Sequence, residues 1–106
     1  MRYIHYKTKA IYSVESHTVR FIRALKTLDS EHCLATLEST GIVVTVYASA
    51  VDGSLFLLEA IDSRQSVLYT LYWGPDGRPW LRKTDVFFEC LYDGVGWVPR
   101  FKSIPS

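Results

Sequence analysis

Two glutamates lie within apolar stretches of the chain, and their chemistry suits proton transfer. Glu59 lies in the run LFLLEAID over residues 55–62, and Glu89 lies in VFFECLY over residues 86–92. A carboxyl group buried among apolar side chains has a raised pKa, which lets it act as a general acid or base. We therefore take Glu59 and Glu89 as candidate catalytic residues. The alternative for each is an ion pair with an arginine, a place at a sheet edge, or exposure to solvent.

Aromatic side chains are abundant and can form the walls of a binding site. The chain holds seven Tyr, five Phe and three Trp in 106 residues. Tyrosine hydroxyls and tryptophan indoles combine a large apolar ring with a hydrogen-bonding group, which suits a pocket for a small hydrophobic molecule. Packing in a core or in a dimer interface is the alternative. The candidate ligand-binding residues are Tyr47, Tyr69, Tyr72, Trp73 and Trp80.

The histidines and cysteines are scattered along the chain, and we expect neither a metal site nor a cofactor. His5, His17 and His32 have no spacing to one another or to the cysteines that suits metal ligands. Cys33 and Cys90 fall in apolar patterns, where a free thiol packs as a small hydrophobe. This usage of cysteine favours a reducing, cytoplasmic compartment.

Charge gives little support for nucleic-acid or membrane partners, because the net charge is only +1. Its distribution is uneven: residues 1–26 hold six bases and one acid, whereas residues 27–62 hold six acids and no base. These blocks either neutralise each other or form two oppositely charged surfaces. A solvated face explains the N-terminal bases better than a nucleic-acid site does. No apolar run reaches the length of a membrane helix.

Helices are expected in the first part of the chain. Ser13 suits a helix N-cap, and apolar residues follow it at helical spacing over 14–28. A second, short helix is predicted over 31–38, with Cys33, Leu34 and Leu37 facing inward.

From Gly41 onward the hydrophobic period changes to that of β-strands. Short turns between consecutive strands predict antiparallel neighbours. Both faces of the strands are apolar, so the face that the helices leave uncovered must meet another subunit, unless the sheet curls on itself. We expect a homodimer through the sheet. The predicted strands cover 42–51, 55–62, 66–73, 79–92 with a break near Lys83-Thr84, and 96–104.

Two stretches resemble a known superfamily. VRFIRALKTLDSEHCLATLESTGIVVTV over 19–46 resembles the opening of the nuclear transport factor 2-like superfamily, which includes SnoaL-type and ketosteroid isomerase-like proteins. YTLYWGPDGRPWLRKTDVFFECLYDGVGWVPRFKSI over 69–104 resembles its closing strands, with two DG turns and Trp97 leading the last strand. The resemblance implies a cone-like, cystatin-like α+β roll that binds small hydrophobic molecules. The superfamily's catalytic residues have no matching positions here, and its third helix is missing between Val51 and Ser66.

These observations predict one α+β domain over residues 1–106, with N-terminal helices packed on a curved, mainly antiparallel sheet. The leading expectation for function is the binding of a small hydrophobic ligand. A protein-interaction module of the inhibitor or immunity type, using the aromatic sheet surface, is one alternative. An isomerase- or dehydratase-type enzyme with a buried glutamate as acid or base is the other.

Overall fold

β-strands make up most of the protein in the computed structural model, which describes residues 1–22, 26, 28–58 and 67–105. Strand accounts for 58% and helix for 4% of these described residues. The prediction of an α+β roll with N-terminal helices on a sheet is therefore wrong. In chain order the elements are β1 (Arg2–His5), β2 (Ile11–Ile22), β3 (Ser30–Leu37), β4 (Val43–Ala48), β5 (Leu55–Leu58), β6 (Tyr69–Trp73), β7 (Pro79–Lys83), α1 (Thr84–Phe87), β8 (Cys90–Tyr92), β9 (Trp97–Pro99) and β10 (Phe101–Ile104).

Six of the strands close into a barrel. Their order around the ring is β2, β5, β4, β3, β7 and β6, and β6 pairs with β2 to complete it. The pairs β2–β5 and β3–β7 are parallel, and the other pairs are antiparallel. β1 pairs with the start of β2, β10 pairs with β1, and β8 and β9 form a separate hairpin.

Aliphatic side chains fill the inside of the barrel, and each of its six strands contributes at least one. Because the sheet curls on itself, its inner apolar face is covered within one chain. Homodimerisation through the sheet stays a prediction. We call this cluster the barrel core; it consists of Val19, Ala35, Val46, Leu55, Leu57, Leu71 and Leu81.

A second core lies on the outside of the barrel wall, against β6 and β7. Successive residues of a strand point to opposite faces. Leu71 and Leu81 therefore face the barrel core, while their neighbours Tyr72 and Trp80 face outward. β1, α1 and β10 cover this outer face. We call the cluster the aromatic core; it consists of Tyr3, Val14, Tyr72, Phe87 and Phe101, with Tyr12 and Trp80 packed against it.

Residues 14–22 of the segment predicted as the first helix lie in β2 for a local reason. Its residues are rich in valine, isoleucine and threonine, whose branched side chains favour strands. Irregularities of register between Val14 and Ser16 and between Ser16 and Val19 break the two-residue alternation that would announce a strand. The last part of the predicted helix lies partly outside the described residues.

The segment predicted as the second helix is β3. Cys33, Ala35 and Leu37 alternate along it, and all three pack in or against the barrel core. Leu34 is 61% exposed, so its predicted inward direction is wrong. A shift of register between Glu31 and Cys33 again interrupts the two-residue alternation that would indicate a strand in the sequence.

The strands predicted after Gly41 are confirmed in outline within the described residues, whereas residues 59–62 and 66 of the predicted strands lie outside them. β4–β5, β6–β7 and β8–β9 are antiparallel neighbours joined by turns in which Gly53, Gly77 and Gly94 adopt positive φ. The predicted break near Lys83-Thr84 is the point where α1 begins. β5 and β6 are not each other's neighbours, because each pairs with β2 instead.

Candidate functional site

A groove of about 440 Å³ runs along the outer face of β6 and β7 beside the aromatic core. This volume lies within the range of small-molecule sites, roughly 300–1,000 Å³. Cross-strand pairing sets Tyr72 of β6 opposite Trp80 of β7, and Tyr12 of β2 completes the aromatic wall. Polar groups and the turn after β6 line the remainder. We call this site the aromatic groove; its charged lining residues are Glu38, Asp76 and Arg82.

Arg82 in the aromatic groove is unusually buried for an arginine, because only 10% of its side chain is exposed to solvent. Its guanidinium carbon lies 5.4 Å from the ring centre of Phe101 and 6.0 Å from that of Tyr72. Its Nη2 lies 2.8 Å from Glu38 Oε1. Nε and Nη1 are buried and have no hydrogen-bond partner among the described residues. A buried donor left without an acceptor costs about 1–3 kcal/mol, so this arrangement lowers the stability of the folded protein.

Glu38 holds its place through its backbone rather than through its side chain. It follows the last residue of β3, and its N–H donates to the carbonyl oxygen of Leu81 over 3.0 Å. Its carboxylate is 42% exposed and accepts from Arg82 through Oε1. The ion pair therefore joins a buried cation to an anion that is open to solvent.

Tyr72 supplies the groove with a hydroxyl that stays protonated. Burial raises the pKa of Tyr72 to about 12, and the nearby Arg82 guanidinium offsets part of that rise. Tyr72 as a whole residue is 3% exposed to solvent. Tyr72 can therefore offer a hydrogen bond to a ligand, but it does not act as a base near neutral pH.

The turn after β6 closes one end of the groove. A Cβ atom on Gly74 would lie 3.0 Å from Asp76 Oδ1 and 3.6 Å from Trp80 Nε1, so a larger residue would intrude on the groove. Asp76 Oδ1 accepts a hydrogen bond from the backbone N–H of Arg78 over 3.1 Å. The Arg78 guanidinium carbon lies 5.6 Å from the Trp80 ring centre, which places a cation on that ring.

Two of the five predicted ligand-binding aromatics, Tyr72 and Trp80, share the groove. Tyr69 packs edge-on against Phe21, on the side of the barrel core. Tyr47 lines a smaller depression of about 240 Å³ elsewhere on the barrel. Trp73 Nε1 donates to Glu15 Oε1 over 3.1 Å, outside the aromatic groove.

Of the two candidate catalytic acids, Glu59 lies outside the described residues. Glu89 follows α1, and its side chain is 53% exposed, with Oε1 at 3.9 Å from Arg100 Nη2. The premise of a carboxyl group buried in a strand does not hold for Glu89. Its place corresponds to the alternative of a solvent-facing acid beside an arginine.

Sequence reasoning missed Arg82, Glu38 and Tyr12. A signal for Arg82 was available in the GPDG turn, because a hairpin closed there places Tyr72 opposite Trp80 and Thr70 opposite Arg82. An arginine on the same strand face as these aromatic residues indicates a candidate binding site. Glu38 reaches the groove through the parallel pairing of β3 with β7, and adjacent sequence does not indicate that pairing.

A closed hydrogen-bond network lies beside the aromatic core. His17 Nε2 is 3.2 Å from the Tyr3 hydroxyl, and Nδ1 is 2.9 Å from Thr70 Oγ1. Thr70 Oγ1 lies 3.0 Å from Thr84 Oγ1, which donates to the His17 carbonyl oxygen over 2.8 Å. Because each hydroxyl carries one proton, Thr70 donates to Thr84 and His17 Nδ1–H donates to Thr70. Burial, followed by the N-terminal ammonium group, lowers the pKa of His17.

The β8–β9 hairpin presents apolar side chains to solvent. Tyr92 is 60%, Val95 94% and Trp97 73% exposed. The Tyr92 and Trp97 ring centres are 5.4 Å apart. Asp93 Oδ1 accepts from the N–H groups of Val95 and Gly96 at 2.8 Å each, which fixes the turn between the strands.

No family model, curated protein or solved structure matches the chain. The resemblance to the nuclear transport factor 2-like superfamily stays a prediction, and the two segments that it assigns to helices overlap β2 and β3. Among the described residues, no three His, Cys, Asp or Glu side chains form a group that could hold a metal ion. The described part of the chain contains no helix long and apolar enough to cross a membrane.

Proposed function

We propose that the protein binds a small planar molecule in the aromatic groove. The observation that carries the proposal is the position of Arg82. Its side chain is nine-tenths buried, its Nε and Nη1 have no partner within the described part of the chain, and it lines a 440 Å³ groove whose walls are aromatic. An aromatic wall with a few converging polar groups is the usual make-up of a small-molecule site. Trp80 and Tyr12 offer ring surface, while Tyr72 and Arg82 offer hydrogen-bond donors.

The direct test is an NMR titration of the ¹⁵N-labelled protein with 2-naphthamide, a neutral bicyclic probe. The three indole N–H signals report on three places: Trp80 in the groove, Trp73 beside Glu15, and Trp97 on the exposed hairpin. At roughly 0.3 kcal/mol per non-hydrogen atom, this probe is expected to bind with a Kd of about 1 mM. We expect the Trp80 signal to move and the Trp97 signal to stay.

Gly74→Ala is the matching variant, because its new methyl group would point at Asp76 and Trp80 inside the groove. We expect it to weaken 2-naphthamide binding about 3- to 10-fold, in line with the contribution of one aromatic contact. Gly96→Ala is the control, since no atom lies within 4 Å of its added carbon. An unchanged Kd in Gly74→Ala, or an equal movement of the Trp97 signal, would show that the probe binds elsewhere.

A further inference from the structure

The bond between Arg82 and Glu38 shows which chemical group the aromatic groove is built to hold. Arg82 has five N–H donors in a planar fork, a shape that matches a carboxylate through two parallel bonds. Glu38 uses one atom of that fork, Nη2, through a single carboxylate oxygen. The fork is therefore only partly used, although the guanidinium has been removed from water.

The rings of Phe101 and Tyr72 lie beside the Arg82 guanidinium, and the groove lined by Arg82 gives a ligand access to the cation. A buried cation needs an anion close by, because the loss of hydration is otherwise uncompensated. In the free protein Glu38 is that anion.

Glu38 can give up this place at small cost. Its carboxylate is 42% exposed, so it returns to solvent without further desolvation. Its backbone bond to Leu81 does not depend on the side chain, and β3 keeps its register.

We infer that the natural ligand class is an aromatic carboxylate, whose carboxylate replaces that of Glu38 on Arg82 while its ring lies against Trp80. The inference rests on the proposed function, because it assigns the chemistry of the same groove. Glu38 thus acts as an internal competitor that occupies the arginine until a ligand arrives. Asp76 adds a negative charge to the lining of the groove, and Arg78 adds a positive charge beside Trp80.

Three probes that share one ring system separate this inference from the proposed function. They are 2-naphthoate, 2-naphthamide and 2-naphthylmethylammonium, each titrated at neutral pH while the Trp80 indole signal is followed. The expected order of affinity is carboxylate first, with a Kd about 3- to 30-fold below that of the amide, because charge-assisted bonds to arginine are stronger than neutral ones. The ammonium probe is expected to bind most weakly.

Glu38→Gln provides the sharper result, since it changes a side chain that is 42% exposed and keeps an amide oxygen that can accept from Arg82. Removal of the competing charge is expected to strengthen 2-naphthoate binding about 3- to 10-fold, a larger change than it produces in 2-naphthamide binding. Glu31→Gln, on the exposed start of the same strand, is the control and should alter neither. Arg82→Lys keeps the charge but removes the fork, and it should abolish the advantage of the carboxylate.

The outcomes distinguish failure of the inference from failure of the proposed function. Equal affinity for the carboxylate and the amide, or a Glu38→Gln variant that binds 2-naphthoate no better than wild type, would overturn the inference and leave the groove as a site for neutral rings. Tightest binding of the ammonium probe would overturn it in favour of a cation site formed by Trp80, Glu38 and Asp76. If none of the probes moves the Trp80 signal, the proposed function itself fails.

Discussion

The barrel core and the aromatic core lie on opposite faces of the same two strands, and they differ in chemistry. The barrel core contains only aliphatic side chains. On the other face, the polar side chain of Thr70 is fully buried, Arg82 is nine-tenths buried, and His17 bonds to both Thr70 and Tyr3. One pair of strands therefore supports the barrel on its inner face and presents polar chemistry on its outer face.

This difference suggests a division of labour between the two faces. Burial of aliphatic side chains stabilises the ring of strands without restricting what the outer face can hold. The outer face keeps donors and charges that cost stability, as the unpaired Arg82 nitrogens do. Mutations in the two cores should therefore separate stability from binding.

Phe87→Ala should have the largest effect, because Phe87 is fully buried and its ring lies 4.4 Å from that of Phe101 and 5.5 Å from that of Tyr72. We expect a loss of about 3–5 kcal/mol in the free energy of unfolding. Both neighbouring rings contact Arg82, so 2-naphthamide binding should weaken as well. Denaturant unfolding and the NMR titration measure the two effects.

Leu57→Ala is the matched control from the barrel core, with an expected loss of about 2–5 kcal/mol and an unchanged Kd for the probe. Leu57 is 3% exposed and lies on β5, which does not pair with β6 or β7. If Phe87→Ala does not fold, Phe87→Leu makes the same comparison at lower cost. Equal loss of binding in the two cores would contradict the division of labour.

His17→Gln should have an intermediate effect that depends on pH. Burial lowers the pKa of His17 below 6.5, so the unfolded chain takes up the proton first. Stability is therefore complete above about pH 6.5 and is lost as the pH falls toward the folded-state pKa. The variant should lose about 1–3 kcal/mol near pH 7.5, because Tyr3 and Thr70 lose their partner.

The difference between wild type and His17→Gln should shrink as the pH is lowered to about 5.5, as measured by denaturant unfolding across that range. His5, whose pKa is also lowered, mainly by burial, should account for part of the dependence that remains. Identical pH dependence in the two proteins would show that His17 is equally easy to protonate in the folded and unfolded states.

Trp97→Ala should have the smallest effect on stability. The Trp97 side chain is 73% exposed on the β8–β9 hairpin, outside both cores. We expect the free energy of unfolding to change by no more than about 0.5 kcal/mol, as for surface positions in general. Thermal unfolding checks this, and a loss above about 1 kcal/mol would mean that the hairpin packs on the rest of the protein.

The sequence predicted the second half of the fold better than the first for a physical reason. Turn residues such as Gly53 and Gly77 act locally, and their strands follow with regular alternation. In β2 and β3 the shifts of register at Ser16 and before Cys33 disturb that alternation, and the remaining apolar pattern matches a helix equally well.

The groove was only half predictable for a related reason. Tyr72 and Trp80 belong to one hairpin, so their chemistry could be recognised from neighbouring sequence. Glu38 and Tyr12 arrive through β3–β7 and β2–β6 pairings between segments far apart in the chain. Such pairings depend on how the barrel closes, and barrel closure follows from the whole set of strands rather than from any one of them.

The seam between β2 and β6 has a consequence for how the protein is made. The His17–Thr70 hydrogen bond beside that seam joins residues 53 positions apart. A ribosome adds about 5–20 residues per second, so β2 waits roughly 3–11 s for its partner strand to emerge. During that interval the hydrogen-bonding edge of a twelve-residue strand is open to other chains. We therefore expect β2 of the nascent chain to be open to wrong pairing until translation has passed β6.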